Sequence, residues 1–468
     1  MNAEHKNIGY YRAVILFIFL FFILSLLRCF NLHSTFFDLG IYEGIIYRVA
    51  FHKEWYLLFA GHVTPILFVH SLIYRIFPST ETLLILQILT VALGSYPLYL
   101  IAKKKLKGSL PLAVVISYFA YYGVEYNVLF DFHPDHIIIP ILFYAFYYLE
   151  ENKLPQFIFA CIIGLSVKEP FNLVIMMLGV YSIIKYKNIK SGVLVAILGF
   201  LMFTVDFKLI IPYFNSVGSS IQSTQLSKFG VTVPEMIVNI FVKPQVLLST
   251  IFSESVVVFI GFVFVPLLFI PFLAPLALIV ALPMFLMLFS TGSPLHIGIA
   301  NHYLASIIPP IFIAFVYGLK ILEKYKHLLL IVLVITLLTN IVLSPSLVSY
   351  TFWKGKSMSF SYKVYLPEKR DNMIKENIKK YIPANPNVRI VSQNSLNYEF
   401  LTKRLHYRAY PDQFEIADYI VLDLKRHLFM LDKVNEKEFI KIFEIVKKTQ
   451  ELVYENDGFY IFRKPNKK

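Results

Sequence analysis

Charged residues and cysteines are scarce in this sequence. Only 16% of its 468 residues are Asp, Glu, Lys or Arg, whereas about a quarter is usual for a soluble domain. Hydrophobic residues make up 57%, and the mean hydropathy is +0.63. These values exclude one soluble globular domain and predict a polytopic membrane protein. The two cysteines, Cys29 and Cys161, lie in apolar runs, which argues against a disulfide framework.

Nucleic-acid-binding motifs are also lacking, although the formal net charge is +14. Residues 350–468 hold 23 Lys and Arg against 15 Asp and Glu, without long apolar runs. They predict a water-soluble C-terminal domain, residues 351–468, after a membrane domain, residues 1–350. Short apolar strands and an amphipathic helix predict an α/β fold for the tail. Its basic charge suits an anionic membrane surface, or simply a solvated face.

The apolar runs predict an all-α membrane domain of about eleven spanning helices, since about 17–25 residues cross the bilayer core. The predicted spans are 11–29, 81–102, 109–128, 133–149, 155–169, 171–186, 192–212, 252–272, 274–290, 303–320 and 328–346. The first span is long and has no small-residue cleavage site after it, which excludes a cleavable signal peptide.

Lysine-rich connections predict the orientation, because short cytoplasmic loops are enriched in Lys and Arg. With a cytoplasmic N-terminus, the lysines at 103–107, 185–190 and 320–326 all fall on the cytoplasmic side. Only the turn 150–153 departs from the rule, because it is acidic. We therefore expect a multi-pass protein of the cell membrane whose C-terminal domain is extracytoplasmic, on the same side as the polar loops.

The first external loop, residues 30–80, carries two candidate site residues. Asp38 follows two phenylalanines in HSTFFDLGIYEGIIY, and apolar surroundings make a carboxylate a better proton acceptor. The alternative for Asp38 is a helix N-cap. The apolar stretch 62–78 is predicted to be a helix in the outer leaflet. His62, at its start, is a candidate hydrogen-bond donor to a phosphate. The alternative is that His62 only makes a structural hydrogen bond at the interface.

A cluster of ionisable residues lies in FDFHPDH between two predicted spans. It contains Asp131, His133, Asp135 and His136. Carboxylate oxygens and imidazoles suit Mg²⁺ or Mn²⁺ bound together with a phosphate. Asp131 and Asp135 are the candidate metal ligands, and His133 is a candidate phosphate contact. A solvated turn around the His-Pro step explains the same residues equally well.

Two further polar sequences interrupt apolar runs. The proline of KEP, residues 168–170, breaks a helix. Lys168 and Glu169 then form either a neutralising ion pair or a phosphate site in which Glu169 orients the lysine. The NHY sequence opens another predicted span, and His302 and Tyr303 are further candidate donors.

These segments together resemble a family of predicted membrane proteins of archaea and bacteria that is placed in the GT-C superfamily of glycosyltransferases. The resemblance covers nearly the whole chain and rests on FDLGIYEGIIY, GHVTPIL, FDFHPD, the Lys-Glu of KEP, NHY and, in the tail, ADYIVLD and DGFYIFRK. It implies a GT-C-like fold, a polyprenyl-phosphate-linked sugar as donor, and Asp38 as the catalytic base. The family usually has an acidic residue where Pro170 stands here.

An inverting transfer from a lipid-phosphate sugar needs a base for the acceptor hydroxyl and cations at the leaving phosphate. Asp38 suits the first role, and Lys168, His62 and His133 suit the second, with or without a metal ion. We therefore expect a glycosyltransferase at the extracytoplasmic face of the lipid bilayer. A transporter or flippase of a lipid-linked or anionic substrate is an alternative, although transporters bind near the bilayer midplane. A non-catalytic scaffold is another.

Overall fold

The computed structural model describes residues 3–215, 239, 242–291, 296–298, 300–355, 360–425 and 436–465. Over these ranges, helices make up the membrane domain, and a small five-stranded sheet follows residue 389. The predicted fold class, mostly helical with a small C-terminal sheet, is therefore confirmed. Most of the predicted external loop 213–250 lies outside the described residues.

The membrane domain is a series of helices connected by short breaks. The helices are Ala3–Phe30, Ile41–His52, Leu67–Ile76, Thr80–Lys105, Leu110–Phe119, Tyr122–Leu129, Ile138–Glu150, Leu154–Gly164, Phe171–Tyr186, Ile189–Val205, Pro244–Ile251, Glu254–Phe264, Leu282–Thr291, Ile308–Leu322 and Leu328–Leu343. By length and composition, three helical segments of the described chain are able to cross a membrane, or up to five if each bent pair is one span. The predicted count of about eleven spans is not confirmed.

Several predicted spans are bent or shortened. The predicted span 109–128 is two helices that meet at 43°. Between Val265 and Ala281 the chain forms three short 3-10 helices instead of the continuous ends of two spans. Prolines at 266, 271 and 275 explain this change, because a proline inside a helix lacks the amide donor. Hydropathy therefore located these apolar runs correctly but overestimated the helix length where the chain bends or carries these prolines.

One end of the membrane domain, here called the lysine end, collects the basic clusters. Lys104 and Lys105 pair with the two carboxylates of the acidic turn 150–153, at 2.8 and 2.6 Å. Lys105 and Lys185 both lie over the ring of Tyr317, at 5.3 and 4.6 Å from its centroid. The acidic turn therefore lies among the lysines and neutralises them. This grouping accounts for its departure from the charge rule.

The opposite end, here called the site end, carries the first loop, residues 31–79. The predicted outer-leaflet helix is helical from Leu67 to Ile76, and its start is held by a 2.9 Å bond from the Ile66 amide to the Ser166 carbonyl. Phe68 and Ile76 lie on its exposed face. An amphipathic helix with an exposed apolar face suits contact with lipid.

The C-terminal domain contains a mixed sheet with a helix on each face. Its strands are β1 (Ile390–Ser392), β2 (Tyr407–Ala409), β3 (Tyr419–Asp423), β4 (Glu451–Asn456) and β5 (Phe459–Arg463), in the order β2-β1-β3-β5-β4. Strand β1 is parallel to β2 and β3, whereas β5 is antiparallel to β3 and β4. Alternating side chains pack against helix Lys369–Tyr381 on one face and helix Glu436–Thr449 on the other.

The C-terminal domain is attached to the site end immediately after the first helix. Leu32 is 1% exposed and belongs to the hydrophobic core of the C-terminal domain, beside Ile374 and Ile378. Lys375 donates to the carbonyl of Phe30. The loop that carries Asp38 therefore starts from a point fixed against the C-terminal domain.

Candidate functional site

Four interruptions of the α-helices meet at the site end. They are residues 31–40, 130–137, 165–170 and 300–307. Pro134 opens the short 3-10 helix Pro134–Ile137, and Pro170 is the N-cap of helix Phe171–Tyr186. The missing amide donor is tolerated at such helix starts. Because the chain leaves the helix at each interruption, polar side chains from distant parts of the sequence converge on one another.

Lys168 and Asp135 form the buried centre of the site. The Nζ atom of Lys168 donates to Oδ1 of Asp135 at 2.9 Å, and Nε2 of His302 lies 3.6 Å from Oδ2. Lys168 is 7% exposed and Asp135 is 3% exposed. A buried carboxylate is costly unless it is paired, and Lys168 supplies the paired cation for Asp135.

His62 and Glu169 form a second pair at the margin of the same site. Nδ1 of His62 lies 2.7 Å from one Glu169 oxygen, and the Val63 amide donates to the other at 3.1 Å. Glu169 is buried, whereas about a third of the His62 side chain is exposed. Glu169 thus holds the start of the segment that leads to the helix Leu67–Ile76. The side-chain hydrogen bond of Lys168 goes to Asp135, although Glu169 is adjacent in sequence.

Asp131 ties the first helix to the loop that carries Asp38. Its Oδ1 accepts from Nη1 of Arg28 at 3.1 Å. Its Oδ2 accepts from the amide and the hydroxyl of Thr35 at 2.7 and 2.8 Å. Asp131 is 3% exposed, so these bonds replace the water that a carboxylate would otherwise require. In this structure Asp131 acts as an anchor for residues 31–40.

Asp38 lies in a single π-helical turn, Phe36–Gly40, and is partly exposed. The N-cap interpretation is wrong: the N-cap of helix Ile41–His52 is Gly40, and no side chain among the described residues caps this helix. Burial raises the pKa of Asp38 to about 7, and the neighbouring Asp131 carboxylate adds to the effect, whereas Lys168 opposes it. Asp38 is therefore a carboxylate that both accepts and releases protons near neutral pH.

A row of buried histidines continues the site into the membrane domain. The rings of His302 and His133 lie 4.2 Å apart between centroids, those of His133 and His136 5.9 Å, and those of His136 and His70 6.2 Å. Nδ1 of His133 bonds to the Asp131 carbonyl at 2.6 Å. Among the described residues, Nδ1 of His302 has no hydrogen-bond partner. Tyr303 stacks near His302, with ring centroids 4.3 Å apart.

The C-terminal domain also reaches the site, which sequence reasoning did not predict at residue level. The Phe37 amide donates to Oδ1 of Asn394 at 2.9 Å. Thr402 donates to the buried carboxylate of Glu43 at 3.4 Å. The available signal was the amide-rich sequence QNSLN, which directly follows the apolar strand β1.

The predicted metal ligands are already paired with other groups. Among the described residues, no group of three or more His, Cys, Asp and Glu side chains is arranged to hold a metal ion. Asp131 faces Arg28, and Asp135 faces Lys168. A divalent cation would have to displace these protein cations, so the residues as placed do not fit the ion. Metal dependence stays a prediction.

A family model described as a predicted membrane protein, DUF2079, matches residues 28–455. The chain belongs to this family. The match includes every candidate site residue and nearly all of the C-terminal domain. A comparison with curated proteins found no match.

The fold is similar to the crystal structure of ArnT from Cupriavidus metallidurans in the apo state. The TM-score is 0.53 at 12% identity, and the alignment covers 96% of this chain and 97% of that chain. A crystal structure of ArnT from the same organism bound to undecaprenyl phosphate has a TM-score of 0.49 at 11% identity, with 98% of each chain covered. At 12% identity, the similarity to the apo structure is evidence of a shared fold alone. It supports the GT-C-like fold that the sequence resemblance implied.

Proposed function

We propose that this protein is an integral-membrane glycosyltransferase that transfers a sugar from a polyprenyl-phosphate donor to an acceptor hydroxyl at the extracytoplasmic face. The observation that carries the proposal is the partly exposed Asp38 beside the buried Lys168–Asp135 pair. Such a site combines a proton acceptor with a fixed cation. The family and the GT-C-like fold are consistent with this function.

Asp38 is the proposed base. Transfer forms a bond between the acceptor oxygen and the anomeric carbon, and the bond from that carbon to the phosphate oxygen breaks with its electron pair leaving on the phosphate. The acceptor hydroxyl must lose its proton in the same process. A carboxylate whose pKa is raised to about 7 accepts that proton efficiently at neutral pH. Its partial exposure leaves room for an acceptor to approach.

Lys168 is the proposed contact of the leaving phosphate. An ammonium group has three donors, and among the described residues its side-chain hydrogen bond to Asp135 uses one of them. The charge develops on the phosphate oxygen as the bond breaks, so a fixed cation stabilises the transition state more than the ground state. His62, Tyr303 and Nδ1 of His302 are the proposed further donors.

The proposed lipid path runs along the apolar exterior of the site end. Phe68, Leu72 and Ile76 lie one turn apart on helix Leu67–Ile76 and are 50%, 52% and 70% exposed. A polyprenyl chain packed against this face would place its phosphate near the segment held by Glu169. The polyprenyl chain of the donor and the surrounding lipid would then contact the same apolar face of this helix.

The test is release of polyprenyl phosphate by the purified protein from a panel of polyprenyl-phosphate sugars. Wild type is expected to release the lipid phosphate from at least one donor, and Asp38→Asn to be slower by about 10²–10⁴-fold. Asp412→Asn is the matched control, because it makes the same chemical change at an exposed carboxylate of the C-terminal domain. It should retain wild-type release. Protein that moves lipid-linked sugar between the leaflets of proteoliposomes, without turning over any donor, would be a transporter, and the proposal would be overturned.

A further inference from the structure

The loop that follows β1 has the composition of a site for hydroxyl groups. It comprises Gln393–Asn397, here called the amide loop, and it has three amide side chains and one hydroxyl but no charged side chain. It leaves the carboxyl end of β1, which is parallel to both of its neighbours. Ligands of open α/β sheets bind at the carboxyl ends of parallel strands. The amide loop therefore stands where such a sheet offers a binding crevice.

The amide loop touches the segment that carries the proposed base. Oδ1 of Asn394 accepts from the amide of Phe37, the residue before Asp38, at 2.9 Å. Asn394 is 0% exposed, and its Nδ2 has no hydrogen-bond partner among the described residues. Asn397 is 5% exposed, and its Oδ1 also has no hydrogen-bond partner among the described residues. One donor and one acceptor thus remain unused in a place where buried polar groups normally find partners.

The other polar atoms of Asn394 and Gln393 are engaged in hydrogen bonds within the protein. Oδ1 of Asn394 is engaged by Phe37, while Oε1 of Gln393 accepts from the Asp423 amide at 3.1 Å. Nε2 of Gln393 donates to the Ser395 hydroxyl at 2.6 Å. Gln393 therefore determines the shape of the loop and has little capacity left for a ligand. The unused capacity belongs to the two asparagines.

The position of the amide loop relative to Asp38 is fixed by contacts on either side of it. On one side Leu32 inserts into the core of the C-terminal domain. On the other side Lys403 donates to the Pro78 carbonyl at 2.9 Å, and Thr402 to Glu43 at 3.4 Å. The two asparagines and the Asp38 segment therefore belong to one assembled site.

We propose that the amide loop is the acceptor subsite, and that Asn394 and Asn397 hydrogen-bond to the hydroxyl groups of a saccharide acceptor beside Asp38. This inference rests on the proposed function. Neutral amides both donate and accept, which matches hydroxyl groups, whereas a phosphate calls for cations such as Lys168. The donor phosphate and the acceptor hydroxyls would then contact different parts of the site, with Asp38 near the acceptor side.

The test separates use of the acceptor from breakdown of the donor. Release of polyprenyl phosphate is measured at about pH 8, where Asp38 is ionised, with and without a glycan extract of the envelope of the producing cells. Wild type is expected to hydrolyse donor slowly alone and faster with the extract. Asn397→Ala and Asn394→Asp are expected to lose at least about tenfold of this stimulation, measured as the ratio of release with extract to release without it. Asn394→Asp retains an oxygen that accepts from Phe37, removes the amide donor and adds a carboxyl group, so Asn397→Ala is the variant of the two that adds no ionisable group.

Asn377→Ala is the matched control, because Asn377 lies on helix Lys369–Tyr381 and bonds only to a carbonyl of that helix among the described residues. It should keep wild-type stimulation. Thermal unfolding of each variant verifies that the domain is folded. Wild-type stimulation in both variants overturns the inference, as does an equal loss with and without extract, or a wild type that the extract never stimulates. If wild type releases no lipid phosphate under either condition, the proposed function itself is contradicted.

Discussion

Lys168 donates a hydrogen bond to Asp135 at 2.9 Å across 33 residues of sequence, and both side chains are buried. The two residues belong to different helix interruptions, so the pair joins the KEP and FDFHPD segments into one site. Lys168 lowers the pKa of Asp38 against the raising effect of burial, whereas Asp135 raises that pKa. The electrostatics of the site therefore depend on this pair.

Lys168→Met should unfold more easily than wild type by about 3–5 kcal/mol, because it leaves a buried carboxylate without its cation. The double variant Lys168→Met/Asp135→Asn removes the charge as well and should recover most of that loss. Both variants should lack donor turnover. Thermal unfolding in detergent and release of lipid phosphate check the two effects separately. A double variant with wild-type turnover would assign Lys168 a structural role alone.

The pH dependence should follow the Asp38 carboxylate. Its pKa is raised to about 7, and a base works only when it is deprotonated. The kcat/KM for transfer should therefore fall about tenfold for each unit of pH below about 7 and level off above it. A profile from about pH 5 to about pH 9 tests this expectation. Activity that is already constant at pH 5 would exclude Asp38 as the base.

Asp131→Asn should act mainly on folding, and it should also lower the pKa of Asp38, because it removes the neighbouring carboxylate that raises that pKa. The substitution leaves the guanidinium of Arg28, whose side chain is 6% exposed, without its ion partner, at a cost of about 3–5 kcal/mol. Asp38→Asn changes a partly exposed side chain and should leave the melting temperature within a few degrees of wild type. Paired melting curves decide the matter. Equal stability of Asp131→Asn and wild type would mean that the anchor is not needed.

Chelation should leave transfer largely intact. Arg28 and Lys168 already neutralise Asp131 and Asp135, so a divalent ion would compete with bound protein cations. The measurement is lipid phosphate release before and after EDTA, with Mg²⁺ or Mn²⁺ added back. Loss on chelation that either ion restores would return the two aspartates to the role of metal ligands that the sequence suggested.

The candidate site residues are conspicuous in the sequence because charge is costly among apolar residues. Asp131, Asp135 and Lys168 stand out for that reason alone. Their partners were not predictable. Adjacent residues in a turn point in different directions, so Lys168 bonds to Asp135 while Glu169 turns to His62. Such pairings depend on how distant helix interruptions pack.

The C-terminal domain was also predictable only where its sequence pattern is clear. Strands β1, β3 and β5 and the helix Glu436–Thr449 were predicted because their apolar patterns are clear. Strand β2 has only three residues, and β4 is an edge strand with mostly exposed side chains, so neither has a strong pattern. The helix Lys369–Tyr381 is largely charged, and its apolar stripe is narrow. The approach of Asn394 to Phe37 requires the docking of Leu32, which no local pattern encodes.

The most direct measurement is single turnover of bound donor by wild type and by Asp38→Asn. A polyprenyl-phosphate sugar that wild type accepts is bound to each protein, and its dissociation constant and release rate are recorded together. We expect Asp38→Asn to bind the donor within about threefold of wild type and to release lipid phosphate at least about a hundredfold more slowly. Release by Asp38→Asn at the wild-type rate would contradict this expectation, because the transfer would then need no base at residue 38.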